Sequence, residues 1–181
     1  MLNRITQLSA AAAMALFFAG CPGLNPPYDA TGTYEGTFTL GAGATQIAQN
    51  CAITLKLEQN IDAGPVRNAK VAGTVELSLA CVSGDVPPVL DGVLGTLLGV
   101  EPIEVSGAML PDGTLELNTD GLLNECPTND CERLVLLGST LDTDKDGKMD
   151  TYTGTIGGLV QVSGSLVPLI GNFTTAVATA S

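Results

Sequence analysis

Period-two alternation of apolar and polar residues, repeated in segment after segment, argues for an all-β domain. Turn-forming runs such as Pro111-Asp112-Gly113 separate these segments. A Tyr/Val-x-Gly-Thr/Ala/Ser tetrapeptide recurs with its glycine on the apolar face. The expected architecture is an antiparallel meander barrel or a strongly bent sandwich of about eight to ten strands.

The first strand covers 33–40. Tyr34, Gly36, Phe38 and Leu40 share one face; Thr33, Glu35, Thr37 and Thr39 share the other. The second covers 51–58, with Cys51, Ile53, Leu55 and Leu57 inward and Thr54, Lys56 and Glu58 outward. The third covers 70–81, with Val71, Gly73, Val75, Leu77, Leu79 and Cys81 inward. The Gly64-Pro65 region makes the second and third a long-looped hairpin. Placing Cys51 opposite Cys81 sets Ile53 against Leu79, Leu55 against Leu77 and Leu57 against Val75. One register then satisfies both the apolar face and a cross-strand disulfide.

A second hairpin places Ile103, Val105, Gly107 and Met109 before the Pro111–Gly113 turn and Leu115 and Leu117 after it. A third pairs Leu134–Leu141 with Tyr152–Val162 across an acidic loop. Phe173–Thr179 reads as a closing strand. The tetrapeptides start at Tyr34, Val71, Val105, Tyr152 and Val162. An inward glycine lets a strand bend sharply without a Cβ clash, as closing a small sheet requires. The pattern is similar to meander barrels of lipocalin-like type, in architecture alone and without a lipocalin sequence signature.

One segment departs from alternation. In 87–98, apolar residues recur at helical spacing from Val89 to Leu98, after Pro87-Pro88 and before Gly99. A short helix is expected there. It caps an end of the barrel, or it serves as a lid or a partner-facing patch.

Residues 1–20 follow the three-part export pattern. Arg4 supplies positive charge, Leu8–Phe18 a short apolar run, and Ala19-Gly20 small residues before Cys21. The run is shorter than the roughly 20 residues a membrane-spanning helix needs. Leu16-Phe17-Phe18-Ala19-Gly20-Cys21 resembles the lipobox of bacterial lipoproteins, with Phe18 where most carry Leu. The resemblance implies lipidation of Cys21 and removal of the signal peptide at 1–20; a plain secretory signal is the alternative. Residues 21–30 then form a tether. Pro22, Pro26 and Pro27 bias it toward extended polyproline II, reaching roughly 30 Å. Residues 31–181 form the single β domain. Pro22 replaces the Asp that retains some lipoproteins in the inner membrane, so the resemblance implies the bacterial outer membrane.

Arg4 is the only charge in the signal segment. The remaining 161 residues hold 6 basic against 19 acidic residues, a balance of −13. That excludes nucleic acid as a partner and disfavours docking on an anionic membrane face. With Cys21 as the anchor, Cys51, Cys81, Cys126 and Cys131 remain. An even set in an exported chain reads as two disulfides, for which three connectivities exist. Spacing suggests Cys126–Cys131 around a short loop, and the strand pattern suggests Cys51–Cys81.

The loop Asp142-Thr143-Asp144-Lys145-Asp146-Gly147-Lys148-Met149-Asp150 resembles the calcium loops of EF-hands, dockerins and thrombospondin type 3 repeats. Calcium takes about six to eight oxygens, and alternate aspartates wrap three carboxylates around one point. Asp142, Asp144 and Asp146 would be carboxylate ligands and Lys148 a carbonyl ligand. Asp150 would bind directly or through water, and Gly147 permits the sharp turn. Thr153 stands where an EF-hand has its bidentate Glu. The expectation is a weak, structural calcium site, in roughly the 10⁻⁴–10⁻³ M class.

No enzyme is expected. The chain has no His, so a His-based triad or His-ligated metal is excluded. Lipidated or oxidised cysteines supply no thiolate nucleophile. With no Trp and three Tyr, a sugar-stacking platform is poorly provided for. Two functions remain. One is an envelope lipoprotein whose calcium-stiffened β domain has a structural or interaction role, the reading that inward Leu, Val and Phe favour. The other is a lipocalin-like module binding a small apolar ligand. The partners implied are the membrane through the lipid anchor, and an envelope protein or that ligand.

Overall fold

The computed structural model describes residues 26–43, 45–60, 69–78, 81, 102–119, 134–162 and 165–179. Eight strands follow in order: β1 (Gly32–Ala42), β2 (Thr45–Asn60), β3 (Ala69–Leu77), β4 (Ile103–Met109), β5 (Thr114–Thr119), β6 (Leu134–Leu141), β7 (Thr151–Val162) and β8 (Ser165–Val177). Each pairs antiparallel with its sequence neighbours, and β8 pairs with β1 from Tyr34↔Val177 to Ala42↔Leu169. The result is a closed eight-strand barrel with no crossover. The expected 87–98 helix and Cys126–Cys131 pair lie outside the described residues, as do the signal segment and Cys21.

The barrel interior is built from the apolar faces of alternating strands. Tyr34, Phe38 and Leu40 of β1, Ile53 and Leu55 of β2, Leu115 and Leu117 of β5, and Phe173 of β8 are all buried. An eight-strand barrel has an interior just wide enough for side chains to fill. The Tyr152 ring packs edge-on to Phe173 with centroids 4.6 Å apart. Its hydroxyl lies 2.8 Å from the Leu136 carbonyl and 3.0 Å from that of Leu115, and donates to this pair. The Thr175 hydroxyl donates to the Tyr152 carbonyl at 3.1 Å. Among the described residues, no buried side-chain nitrogen or oxygen lacks a hydrogen-bond partner. Burial raises the Tyr152 phenol well above its ordinary value. It takes Tyr34 up to about 12, with help from the Asp29 and Asp150 charges. Both rings are therefore held neutral in the core.

The inward glycines mark where strands approach most closely. A Cβ on Gly107 would stand 1.7 Å from the Glu116 carbonyl oxygen on β5, and one on Gly73 would stand 1.9 Å from that of Lys56 on β2. Gly36, Gly138, Gly154 and Gly171 meet neighbouring backbone in the same way, and Gly138 pairs directly with Gly154. Four of these six belong to the recurring tetrapeptide; its fifth glycine, Gly164, is outside the described residues.

Three details correct or extend the expected strands. The Cys51–Cys81 disulfide forms with Cα atoms 5.4 Å apart. The register beside it differs from the expected one by two residues: Ile53 faces Leu77, Leu55 faces Val75 and Leu57 faces Gly73. An even shift leaves every side chain on its own face, so alternation cannot distinguish the two. The bridge is made past the end of β3, after Ser78 donates to the Ala52 carbonyl and the chain turns at Cys81. β2 also begins earlier than expected, at Thr45. The register slips between Phe38↔Cys51 and Leu40↔Ala48, with Asn50 at φ 54°. This bulge breaks the alternation, and Ile47 and Ala48 are both buried. β8 begins at Ser165 and accommodates Pro168, whose carbonyl accepts from the Gly43 N–H at 3.3 Å.

Gly107→Ala should therefore destabilise the barrel by about 3 kcal/mol or more, because a strand must move. Gly157→Ala, whose Cβ would meet nothing nearer than 3.8 Å, should stay within about 0.5 kcal/mol of the parent. Urea denaturation of the two variants checks this. Replacing Cys51 and Cys81 together by Ala opens a loop with sequence separation 30. The expected cost, read from the same denaturation curves, is roughly 3–4 kcal/mol.

Candidate metal centre

The acidic loop joins β6 to β7 at the barrel end where the chain also enters β1. Its roots are fixed by backbone bonds: Asp150 N–H to the Leu141 carbonyl, and Val177 N–H to the Asp150 carbonyl, both 2.8 Å. Within the loop, carboxylates fold the backbone around themselves. Asp142 accepts from the N–H groups of Lys145 at 2.7 Å and Gly147 at 3.0 Å. Asp144 accepts from Asp146 N–H at 3.1 Å, and Asp146 from Lys148 N–H at 2.8 Å. Gly147 sits at φ 86°, a conformation disfavoured for any residue with a Cβ.

This winding brings one carboxylate oxygen each from Asp142, Asp144 and Asp146 within 4.8 Å of one another. Asp150 stands outside that group. Its carboxylate accepts from the Thr143 N–H at 2.6 Å and from the Thr143 hydroxyl. These bonds, the hydroxyl first, hold the exposed Asp150 carboxyl below its ordinary value of 3.8. Lys148 carries the expected carbonyl, and the bridge described next leaves that oxygen out of its two hydrogen bonds. The donors are hard oxygens throughout, which suits calcium or magnesium and not a thiolate- or imidazole-seeking metal.

The loop has a neighbour that sequence reasoning assigned to the tether. Asp29 forms a parallel bridge with Lys148. Its N–H donates to the Gly147 carbonyl at 2.9 Å, and its own carbonyl accepts from Met149 N–H at 2.8 Å. Gln59 ties the same strap from the other side, accepting from Ala30 N–H at 2.9 Å and donating to the Tyr28 carbonyl at 3.3 Å. The Thr140 hydroxyl donates to the Gly113 carbonyl at 2.6 Å, so the Tyr28 hydroxyl, 2.7 Å away, is the donor to Thr140. Ala30 and Met149 are fully buried where strap and loop meet the barrel. The chain is thus held to the barrel from Tyr28 onward. An aromatic residue directly after Pro26-Pro27 was the available signal; nothing in alternation marks Asp29, Thr140 or Thr143.

No protein-family model matches the chain, and no curated protein or solved structure matches it.

Asp150 gives a pH prediction. Its folded-state pKa lies below the unfolded value, so the Thr143 contact contributes stability above about pH 4 and is lost as pH falls further. In a carboxyl-detected NMR titration, Asp150 should have a midpoint below 3.8. Thr143→Val should move that midpoint up toward the ordinary value.

Proposed function

We propose that this protein is a bacterial envelope lipoprotein, anchored in the outer membrane through Cys21, whose barrel is stiffened by calcium in the 142–150 loop. Its role is structural or interactive and not enzymatic. The observation that carries this reading is the backbone bridge between Asp29 and Lys148. It joins the oxygen-donor loop to the last residues of the proposed tether. A cation held by Asp142, Asp144 and Asp146, with Lys148 supplying a carbonyl, would neutralise the mutual repulsion of the loop carboxylates. It would thereby stiffen the point where the membrane anchor meets the barrel. Buried Tyr34, Phe38, Leu55, Met109, Leu117 and Phe173 fill the described interior, which supports this reading over a carrier of small apolar ligands.

Two measurements test it. Intact mass of the membrane-extracted protein should show a chain beginning at Cys21 with an added diacylglyceryl mass. A chain cut elsewhere and unmodified would refute the anchor. In thermal or urea melts, about 10 mM calcium should stabilise the parent by about 1.4 kcal/mol if the dissociation constant is near 1 mM. Asp142→Asn with Asp144→Asn should abolish that response. Equal stabilisation of parent and variant would refute the site.

A further inference from the structure

The strap at 28–31 sets how far the barrel can stand from anything that holds the chain before it. It meets three hairpins at one end of the barrel. Gln59, near the end of β2, holds Ala30 and Tyr28 through its side chain, and its N–H donates to the Thr31 hydroxyl at 3.0 Å. The β6–β7 hairpin holds Asp29 through Gly147 and Met149, and Tyr28 through Thr140. A Cβ on Gly113, in the β4–β5 turn, would lie 3.1 Å from the Tyr28 hydroxyl and 3.7 Å from the Pro27 ring. From inside the barrel, the Tyr34 hydroxyl donates to the Ala30 carbonyl at 3.0 Å. The strap therefore crosses the mouth of this end from β2 to the β4–β5 and β6–β7 turns. The chain toward Cys21 leaves from there. This is also an acidic end: strap, β4–β5 turn and β6–β7 loop carry Asp29, Asp112, Asp142, Asp144, Asp146 and Asp150 against Lys145 and Lys148.

We propose that the strap makes this acidic end the membrane-facing end of the barrel and presents the opposite end, with the β1–β2 and β7–β8 turns, away from the lipid surface. The proposal rests on the anchoring of Cys21 proposed above and does not rest on calcium. Length decides which end is near. From Cys21 to Tyr28 the chain advances seven residues, which span at most about 25 Å when fully extended. Strand β8 has 13 residues; at about 3.3 Å per residue and a tilt of about 40°, the barrel is roughly 30 Å tall. A leash fixed at the strap end and shorter than the barrel cannot bring the far end down to the bilayer. Charge decides that the barrel stands and does not lie along the surface. Without residues 1–20 the chain carries −13. A barrel on its side would bring much of that charge within the Debye length, about 8 Å, of anionic headgroups; a standing barrel brings one end only, and the leash lets that end stand off.

The test uses the full chain extracted from membranes with its lipid and placed in nanodiscs of phosphatidylcholine and phosphatidylglycerol that include a nitroxide-headgroup lipid. Methyl NMR reads the paramagnetic relaxation at each end. Met149 and Leu115 lie at the strap end, Leu77 and Leu134 at the far end, and all four are buried. Relaxation at the first pair should exceed that at the second at least about fivefold, since the ends are roughly 30 Å apart. An insertion of about eight Gly and Ser residues after Gly23 leaves strap and barrel untouched, doubles the leash, and should at least halve that ratio. In the same chain, the Asp29, Ala30 and Met149 amides should exchange at least about tenfold more slowly than unstructured chain. Equal or reversed relaxation at the two ends, a ratio indifferent to the insertion, or unprotected strap amides would each overturn the orientation while leaving the anchor standing. Intact mass of the same sample separates the two readings: an unmodified Cys21 would overturn the anchor and the orientation together.

Discussion

Close approach of neighbouring strands at the inward glycines is the constraint on which the rest of the structure depends. A barrel of eight strands must coil tightly, and at Gly73 and Gly107 the adjacent backbone occupies the space a Cβ would need. Where side chains are absent, backbones pack against each other; between those points Tyr34, Phe38, Tyr152 and Phe173 fill the interior. Small and large inward residues are thus parts of one packing solution. The glycines set the radius, and the aromatic and aliphatic residues fill the volume that radius leaves. The buried hydroxyls of Tyr152 and Thr175 fit because backbone carbonyls of neighbouring strands are within reach.

The two polar regions of the molecule follow from this frame. At one end, the strap from Tyr28 to Thr31 and the 142–150 loop support each other through the Asp29–Lys148 bridge and through Gln59. The loop contributes backbone groups to the strap, and its carboxylates remain gathered on the solvent side. Around the wall, the acidic and basic residues of β1 to β5 give way to the uncharged β6–β8 surface. The loop and the uncharged wall are continuous in sequence, since Asp142–Asp150 interrupts β6 and β7 directly. A concentrated charge at the loop and none on the strands that flank it is a sharp division for so acidic a chain.

Much of this was legible before any coordinates. Alternation identified inward residues of β1 to β5, Cys51, Ile53, Leu55 and Leu57 of β2 among them, since burial on one face of a strand repeats every second residue. It failed where that periodicity is interrupted. The bulge at Asn50 puts Ile47 and Ala48 on adjacent buried positions and hid the start of β2, from Thr45 to Asn50. The uncharged start of β8, with Pro168 inside it, carried too little polar contrast to read as a strand. The calcium-like loop was legible from its aspartate spacing alone, but its support by Tyr28 and Asp29 was not, because that contact joins residues more than a hundred positions apart.

The sequence by itself determined the strand character of the chain, the faces of β1 to β5, the tetrapeptide glycines Gly36, Gly73, Gly107 and Gly154 and the clustering of Asp142, Asp144 and Asp146. All of these are local properties, written in period, spacing and residue type. Only the tertiary structure decided that the sheet closes as eight strands, that β2 and β3 pair two residues away from the alignment their cysteines suggested, and that Asp150 turns to Thr143 instead of joining the other carboxylates. Alternation is unchanged by a shift of two, and spacing does not say which partner a carboxylate prefers. Those choices depend on which backbone groups meet across the closed barrel.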